Sequence, residues 1–177
     1  MDGFSVGRKE DKLGARGVPS SAIFFEDVFI PEENRLGPEG EGFKIVMEAL
    51  NKSRPIIAAR GVGLAQGAID HAQAFVSERH AFGQTVRDFQ GVRWMLADMQ
   101  IQTEAARGLV YKAAAAVDAG LEGNDLAIQA AIAKCHATDT AMQVATDAVQ
   151  LFGASGISNE YPINRYFRDA KVLQIVE

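Results

Sequence analysis

Only one cysteine, Cys135, occurs among the 177 residues. No disulfide can therefore close within the chain, and no multi-cysteine metal site can form. Cys135 lies in an Ala-rich helical pattern, where a free thiol is a packing residue. Histidine is nearly as scarce: His71, His80 and His136 are the whole set, and their spacing is not that of zinc ligands, so no metal is expected. No apolar run approaches the ~20 residues that a bilayer span requires, so no membrane span is expected. Excess positive charge is missing too. Eighteen Lys and Arg against 23 Asp and Glu leave a formal charge of -5, and the basic residues are scattered, which excludes the electrostatic footprint of a nucleic-acid or anionic-membrane binder. Met1-Asp2-Gly3-Phe4-Ser5 carries neither a basic nor an apolar leader pattern, so the expected location is intracellular.

What is present is apolar residues, at 47%, enough to bury roughly two thirds of the unfolded surface at this size in one or two domains. Residues 1–40 hold three of the five prolines and short β-type runs at Phe4–Val6, Ala22–Phe25 and Val28–Ile30. They predict the end of a β-domain, which must pack on the helices or on further strands, because two or three strands alone are marginal in water.

From Gly42 the period changes from two to 3.6 and predicts four helices. The first runs from about Gly42 to Arg79 and contains Pro55, which is expected to bend it near Asn51 to Ser53. Asp88 is the expected N-cap of the second, whose apolar face includes Val92, Met99, Ala106, Val110 and Val117 and which Gly120 ends. The third opens near Asn124 or Asp125, is expected to bury Ile128, Ile132, Cys135, Met142, Val149 and Phe152, and stops at Gly153. The fourth starts near Pro162 and places Ile163, Phe167, Ala170 and Leu173 on one side. The expected fold is mainly α, an antiparallel four-helix bundle preceded by a partial β-domain.

Read as bare residues, the candidate sites are ordinary. Gly83 stops the first helix, Phe82 is core, and Arg79 is a cation at a helix C-terminus. Gln150 to Gly156 is a helix end and a turn, Arg54 is a surface cation, and Glu177 is a carboxylate after an apolar stretch.

Taken together, however, the segments resemble one family. QLFGASGISNEYPINRYFRDAKVLQIVE resembles the C-terminal signature of the flavin-dependent acyl-CoA dehydrogenases, and RHAFGQTVRDFQ resembles their Arg-x-x-Phe-Gly...Gln motif. Lys12-Leu13-Gly14, Phe25-Glu26-Asp27-Val28 and Asn34-Arg35-Leu36-Gly37 are similar to the end of the family's middle β-domain. The resemblance implies a division into residues 1–40, the partial β-domain, and 41–177, the helical bundle ending at the catalytic residue. About half of a family subunit is then present, lacking the N-terminal helical domain and most of the β-domain, and the chain alone is expected to bind FAD weakly or not at all.

The resemblance also implies site roles. Glu177 is the base. Arg79, Phe82 and Gln90 serve the FAD diphosphate and adenosine region, and Gln150, Leu151, Phe152, Gly153 and Ala154 face the adenosine end of the FAD of a partner subunit. Ala154 stands where a second Gly is usual. Asn51, Lys52, Ser53 and Arg54 line the acyl-CoA channel, and some relatives carry their base at or close to the position of Ser53, which cannot itself be one. Val176 replaces an aromatic residue found in several members. The implied activity is FAD-dependent conversion of an acyl-CoA to the trans-2-enoyl-CoA, with electrons passed to an electron-transfer flavoprotein, by a homo-oligomer in the cytoplasm of a bacterium or the mitochondrial matrix of a eukaryote. The alternatives are a non-catalytic helical interaction module of the same fold and an acyl-CoA oxidase.

Overall fold

The computed structural model describes residues 1–177. Two strands, β1 (Phe4–Lys9) and β2 (Ser21–Phe25), precede a long helix α1 (Gly42–Glu78); a two-residue-stranded hairpin, β3 (His80–Ala81) and β4 (Gln84–Thr85), leads to α2 (Gln90–Asp118), α3 (Gly123–Phe152) and α4 (Ile163–Ile175). The fold is thus mainly α, with four helices. The four residues between α2 and α3 force these two to run antiparallel, and α3 packs against all three other helices. No helix is long and apolar enough to cross a membrane.

Small residues make the centre. Ala58, Ala65, Ala68 and Ala72 of α1 and Ala130, Ala133, Ala137, Ala141, Ala145 and Ala148 of α3 are fully buried. Their short side chains let the two backbones approach closely. At the tightest crossing a Cβ on Gly61 would lie 2.9 Å from the carbonyl oxygen of Ala137, so any larger residue there must push the helices apart. Pro55 sits buried inside α1, which continues through it; the lost N–H leaves the Asn51 carbonyl without its usual helical partner.

The third helix keeps Met142, Val149 and Phe152 against the core as expected but overturns the first half of the expected face. Ile128, Ile132 and Cys135 point outward, while Leu126, Lys134, Thr138, Val144 and the alanines face in. Size explains the reversal: a helix that must approach α1 this closely can bury only small side chains along most of that face.

Three smaller expectations also change. Asp88 does not cap α2; its carboxylate accepts the Thr85 hydroxyl at 2.6 Å within a single 3-10 turn, and Phe89 takes the cap position without a side-chain bond. Val28–Ile30 forms no strand, because the chain turns at Asp27, where φ is 49°, and continues without a ladder partner. The first helix stops at Glu78, one residue from the expected Arg79, so Gly83 does not end it. Gly83 instead forms with Phe82 the turn of the β3–β4 hairpin, both at positive φ, as a two-residue hairpin loop requires.

The β1–β2 pair is antiparallel, with Phe4 opposite Phe25. It leaves most of its residues exposed and reaches the bundle through its connection: the Ala15 N–H donates to Asp169 Oδ1 at 2.7 Å, and Gly14 lies so close to α4 that a Cβ would meet the Arg168 carbonyl at 2.3 Å.

Candidate active site

The early turns of α1 and the segment after α4 converge. Pro55 anchors the α1 side in the core, which fixes the direction of the three residues before it. Ser53 Oγ lies 2.7 Å from Glu177 Oε2 and 3.2 Å from the Leu50 carbonyl. A hydroxyl has one proton, and the shorter of the two contacts, to the Glu177 carboxyl oxygen, is the better bond. Arg54 reaches both ways: its Nε donates to the Glu177 carbonyl at 3.4 Å, and its Nη1 donates to Asn51 Oδ1 at 3.0 Å. Asn51, Ser53, Arg54 and Glu177 therefore form one cluster. Glu177 Oε1 has no partner within the chain, so the carboxylate keeps one oxygen free for a proton.

Lys52 points elsewhere. With Lys44, Glu48, Asn51, Glu122 and Leu126 it lines a cavity of about 490 Å³ between the starts of α1 and α3. A second cavity, of about 450 Å³, opens between α1, α4 and the β1–β2 connection and is lined by Arg16, Arg60, Arg165 and Arg168, with none of the cluster residues.

The residues expected to meet the cofactor lie at the other end of α1. From Ser53 to Arg79 the helix rises roughly 40 Å, so no copy of this chain brings its own Arg79 to its own Glu177. Arg79 closes α1, its backbone N–H bonded to Phe75 O and its carbonyl to the N–H of Val86; its side chain is exposed and in no ion pair. Phe82 is 96% exposed on the hairpin tip, not core. Gln90 opens α2 and is exposed, as are Gln150, Gly153 and Ala154 at the end of α3. Gly153 has φ 58° with nothing within 4 Å of an added Cβ.

Leu151 and Phe152 depart from this set. Both are buried, and Phe152 stacks on Phe75 at 4.1 Å and meets Tyr161 edge-on at 5.6 Å. Their side chains hold the bundle together and cannot contact a cofactor; only their backbone could. A guanidinium, two exposed amides and an open glycine remain, a set that suits a diphosphate and its attached nucleoside.

Two features were not anticipated. Phe75, Phe152 and Tyr161 form an aromatic triad that joins the ends of α1 and α3 to the α4 entry. Lys134 is buried, and its Nζ donates to the Gln174 carbonyl at 3.0 Å. A lysine inside the Ala130–Ala133–Ala137–Ala141 stripe was the available signal for the latter.

The chain as a whole is similar to known proteins. A family model described as the C-terminal domain of acyl-CoA dehydrogenase matches residues 40–177. The short-chain specific acyl-CoA dehydrogenase of Clostridium acetobutylicum is 47% identical over 175 residues, covering 99% of this chain and 45% of that protein. Butyryl-CoA dehydrogenase of Megasphaera elsdenii superposes with a TM-score of 0.95 at 46% identity, over 98% of this chain and 45% of that one. A chain in a structure of the electron transferring flavoprotein of Acidaminococcus fermentans gives the same TM-score, 0.95, at 46% identity, over 99% of this chain and 45% of that one. The chain spans about half the length of the curated relatives it matches.

Proposed function

From the premise that the chain belongs to the acyl-CoA dehydrogenase family, matched over residues 40–177, we propose that it is the part of an FAD-dependent acyl-CoA dehydrogenase that carries the base. The observation that supports this most is the Glu177 carboxylate held by Ser53 Oγ at 2.7 Å with its other oxygen free. On this reading residues 1–40 are the end of the middle β-domain and 41–177 the helical domain.

The reaction removes a proton from Cα of an acyl thioester and a hydride from Cβ, leaving a trans double bond. Glu177 takes the α-proton on its free oxygen. Ser53 fixes the bonded oxygen, and Arg54 fixes the backbone behind it, so the carboxylate presents one edge rather than rotating. FAD, when bound, supplies the acceptor for the hydride. Arg79 would hold the diphosphate with its planar fork, and Gln90 and Gln150 would bond the adenosine region. Asn51 stands with the base on the acyl-CoA side, whereas Lys52, turned to the separate cavity at the start of α3, would meet only a part of the substrate that reaches there.

The roughly 40 Å between Ser53 and Arg79 supports a shared arrangement in which the base of one copy works on a cofactor whose adenosine end rests on another. The outward Ile128 and Ile132, 57% and 51% exposed, supply an apolar face for that second copy. Electron transfer to an electron-transfer flavoprotein is supported by the likeness to the Acidaminococcus fermentans chain.

The test is flavin bleaching. The flavin-loaded protein is expected to be yellow and to bleach with butyryl-CoA, and Glu177→Gln is expected to abolish the bleaching. Bleaching that survives in the variant would remove Glu177 from the role of base. Peroxide formation in place of electron-acceptor reduction would identify an oxidase, and failure of the full-length protein to hold FAD would identify an interaction module.

A further inference from the structure

Lys134 is a charged side chain only 6% exposed in the centre of α3, and no carboxylate pairs with it. Burying an ammonium without a counter-ion is costly unless its donors are satisfied. Its Nζ is spent on one acceptor within the chain, the Gln174 carbonyl at 3.0 Å. That carbonyl belongs to the last turn of α4, whose C=O groups have no partner further along the helix and gather its negative dipole end. Lys134 therefore caps α4 from a neighbouring helix.

The same residue is gripped a second time through its side chain. Gln174 Nε2 donates to Asp139 Oδ1 on α3 at 2.7 Å, and Gln174 Oε1 accepts from Lys171 Nζ at 2.9 Å. Backbone and side chain of Gln174 are thus both tied, three residues before Glu177. Between them the chain leaves the helix at Val176, whose N–H still bonds the Val172 carbonyl at 3.1 Å, and Glu177 adopts φ 57°. A non-glycine residue holds a left-handed φ only where its surroundings fix it.

We propose that Lys134, with Asp139, is a positioning residue for Glu177: α3 fixes the end of α4 through Gln174, and this sets where the carboxylate meets Ser53 on α1. The inference rests on the reading of Glu177 as the base. Lys134 touches neither substrate nor cofactor and acts only through Gln174.

Two measurements on the flavin-loaded protein test it. Amide hydrogen exchange of residues 172–177 needs no catalysis: Lys134→Met, which fills the buried space without the donor, is expected to speed exchange at the bonded amides of Ile175 and Val176 about tenfold, with α1 and α2 unchanged. Flavin reduction by butyryl-CoA is expected to slow by about tenfold at saturating substrate, with KM and flavin content held within about twofold, because a displaced base costs rate rather than binding. Lys134→Arg, which keeps a donor, is expected to recover part of both. Asp139→Ala is expected to give the same pattern at about a third of the size, and it decides the matter should Lys134→Met not fold. Unchanged exchange at residues 172–177 in the variants overturns the clamp whatever the activity. Wild-type protein whose flavin butyryl-CoA leaves unreduced overturns the function reading and leaves the exchange result standing.

Discussion

The two ends of the bundle are built differently. Where α1 begins and α4 finishes, polar side chains bond one another: Ser53 to Glu177, Arg54 to Asn51 and to the Glu177 carbonyl, Gln174 to Asp139. Where α1 finishes and α3 ends, the joint is the Phe75–Phe152–Tyr161 triad, and the polar residues Arg79, Gln90 and Gln150 are turned outward without ion pairs. One end uses polar groups to place a carboxylate, and the other uses apolar groups for cohesion and leaves its polar groups for something else. Stability and chemistry are therefore separable along the length of α1.

This separation can be broken at several points. Phe152→Ala removes the stacked partner of Phe75 and should lower unfolding stability by about 3–5 kcal/mol, read in denaturant; a loss under about 1 kcal/mol would show that the triad is not the joint. Gly61→Val places a side chain against the Ala137 carbonyl and should cost about 1–3 kcal/mol by overpacking. Its melting transition should fall while the aromatic joint at the other end stays intact. Arg79→Ala should leave stability unchanged and weaken FAD about tenfold, roughly 1.4 kcal/mol, in a flavin-release titration; a variant that unfolds instead would place Arg79 with the structural set. Ser53→Ala should move stability by no more than about 1 kcal/mol, since the pair is solvent-accessible. Its signature should be a flavin-reduction rate that falls a few fold with KM unchanged.

Helix existence was legible in the sequence because Gly120, Gly153 and Pro162 stand where periodicity stops. Which face of the first half of α3 turns inward was not, although the inward faces of α2 and α4 were. Alanine carries almost no hydrophobic signal, so the eye follows Ile128 and Ile132, and only the close crossing at Gly61 explains why the smaller residues win the interior. The β3–β4 hairpin was missed for a related reason: its Phe82-Gly83 turn lacks the Asn or Asp that commonly marks two positive φ angles in succession. Asp88 looked like a cap because capping residues are recognised by type, yet the Thr85 hydroxyl reaches its carboxylate first. Ser53 and Glu177 lie 124 residues apart, beyond any periodic pattern; only the resemblance to known acyl-CoA dehydrogenases linked them. Lys134 shows the opposite failure, a visible break in an alanine stripe whose meaning depends on a carbonyl 40 residues away.

The outward turn of Ile128 and Ile132 has a consequence in mass action. When a second copy covers that face, each doubling of protein concentration adds to the stability of the assembled state without altering a single contact inside the chain, so the melting temperature climbs with concentration. On that reading, a bundle whose core is mostly alanine would draw part of its resistance to unfolding from how many of its own molecules are nearby.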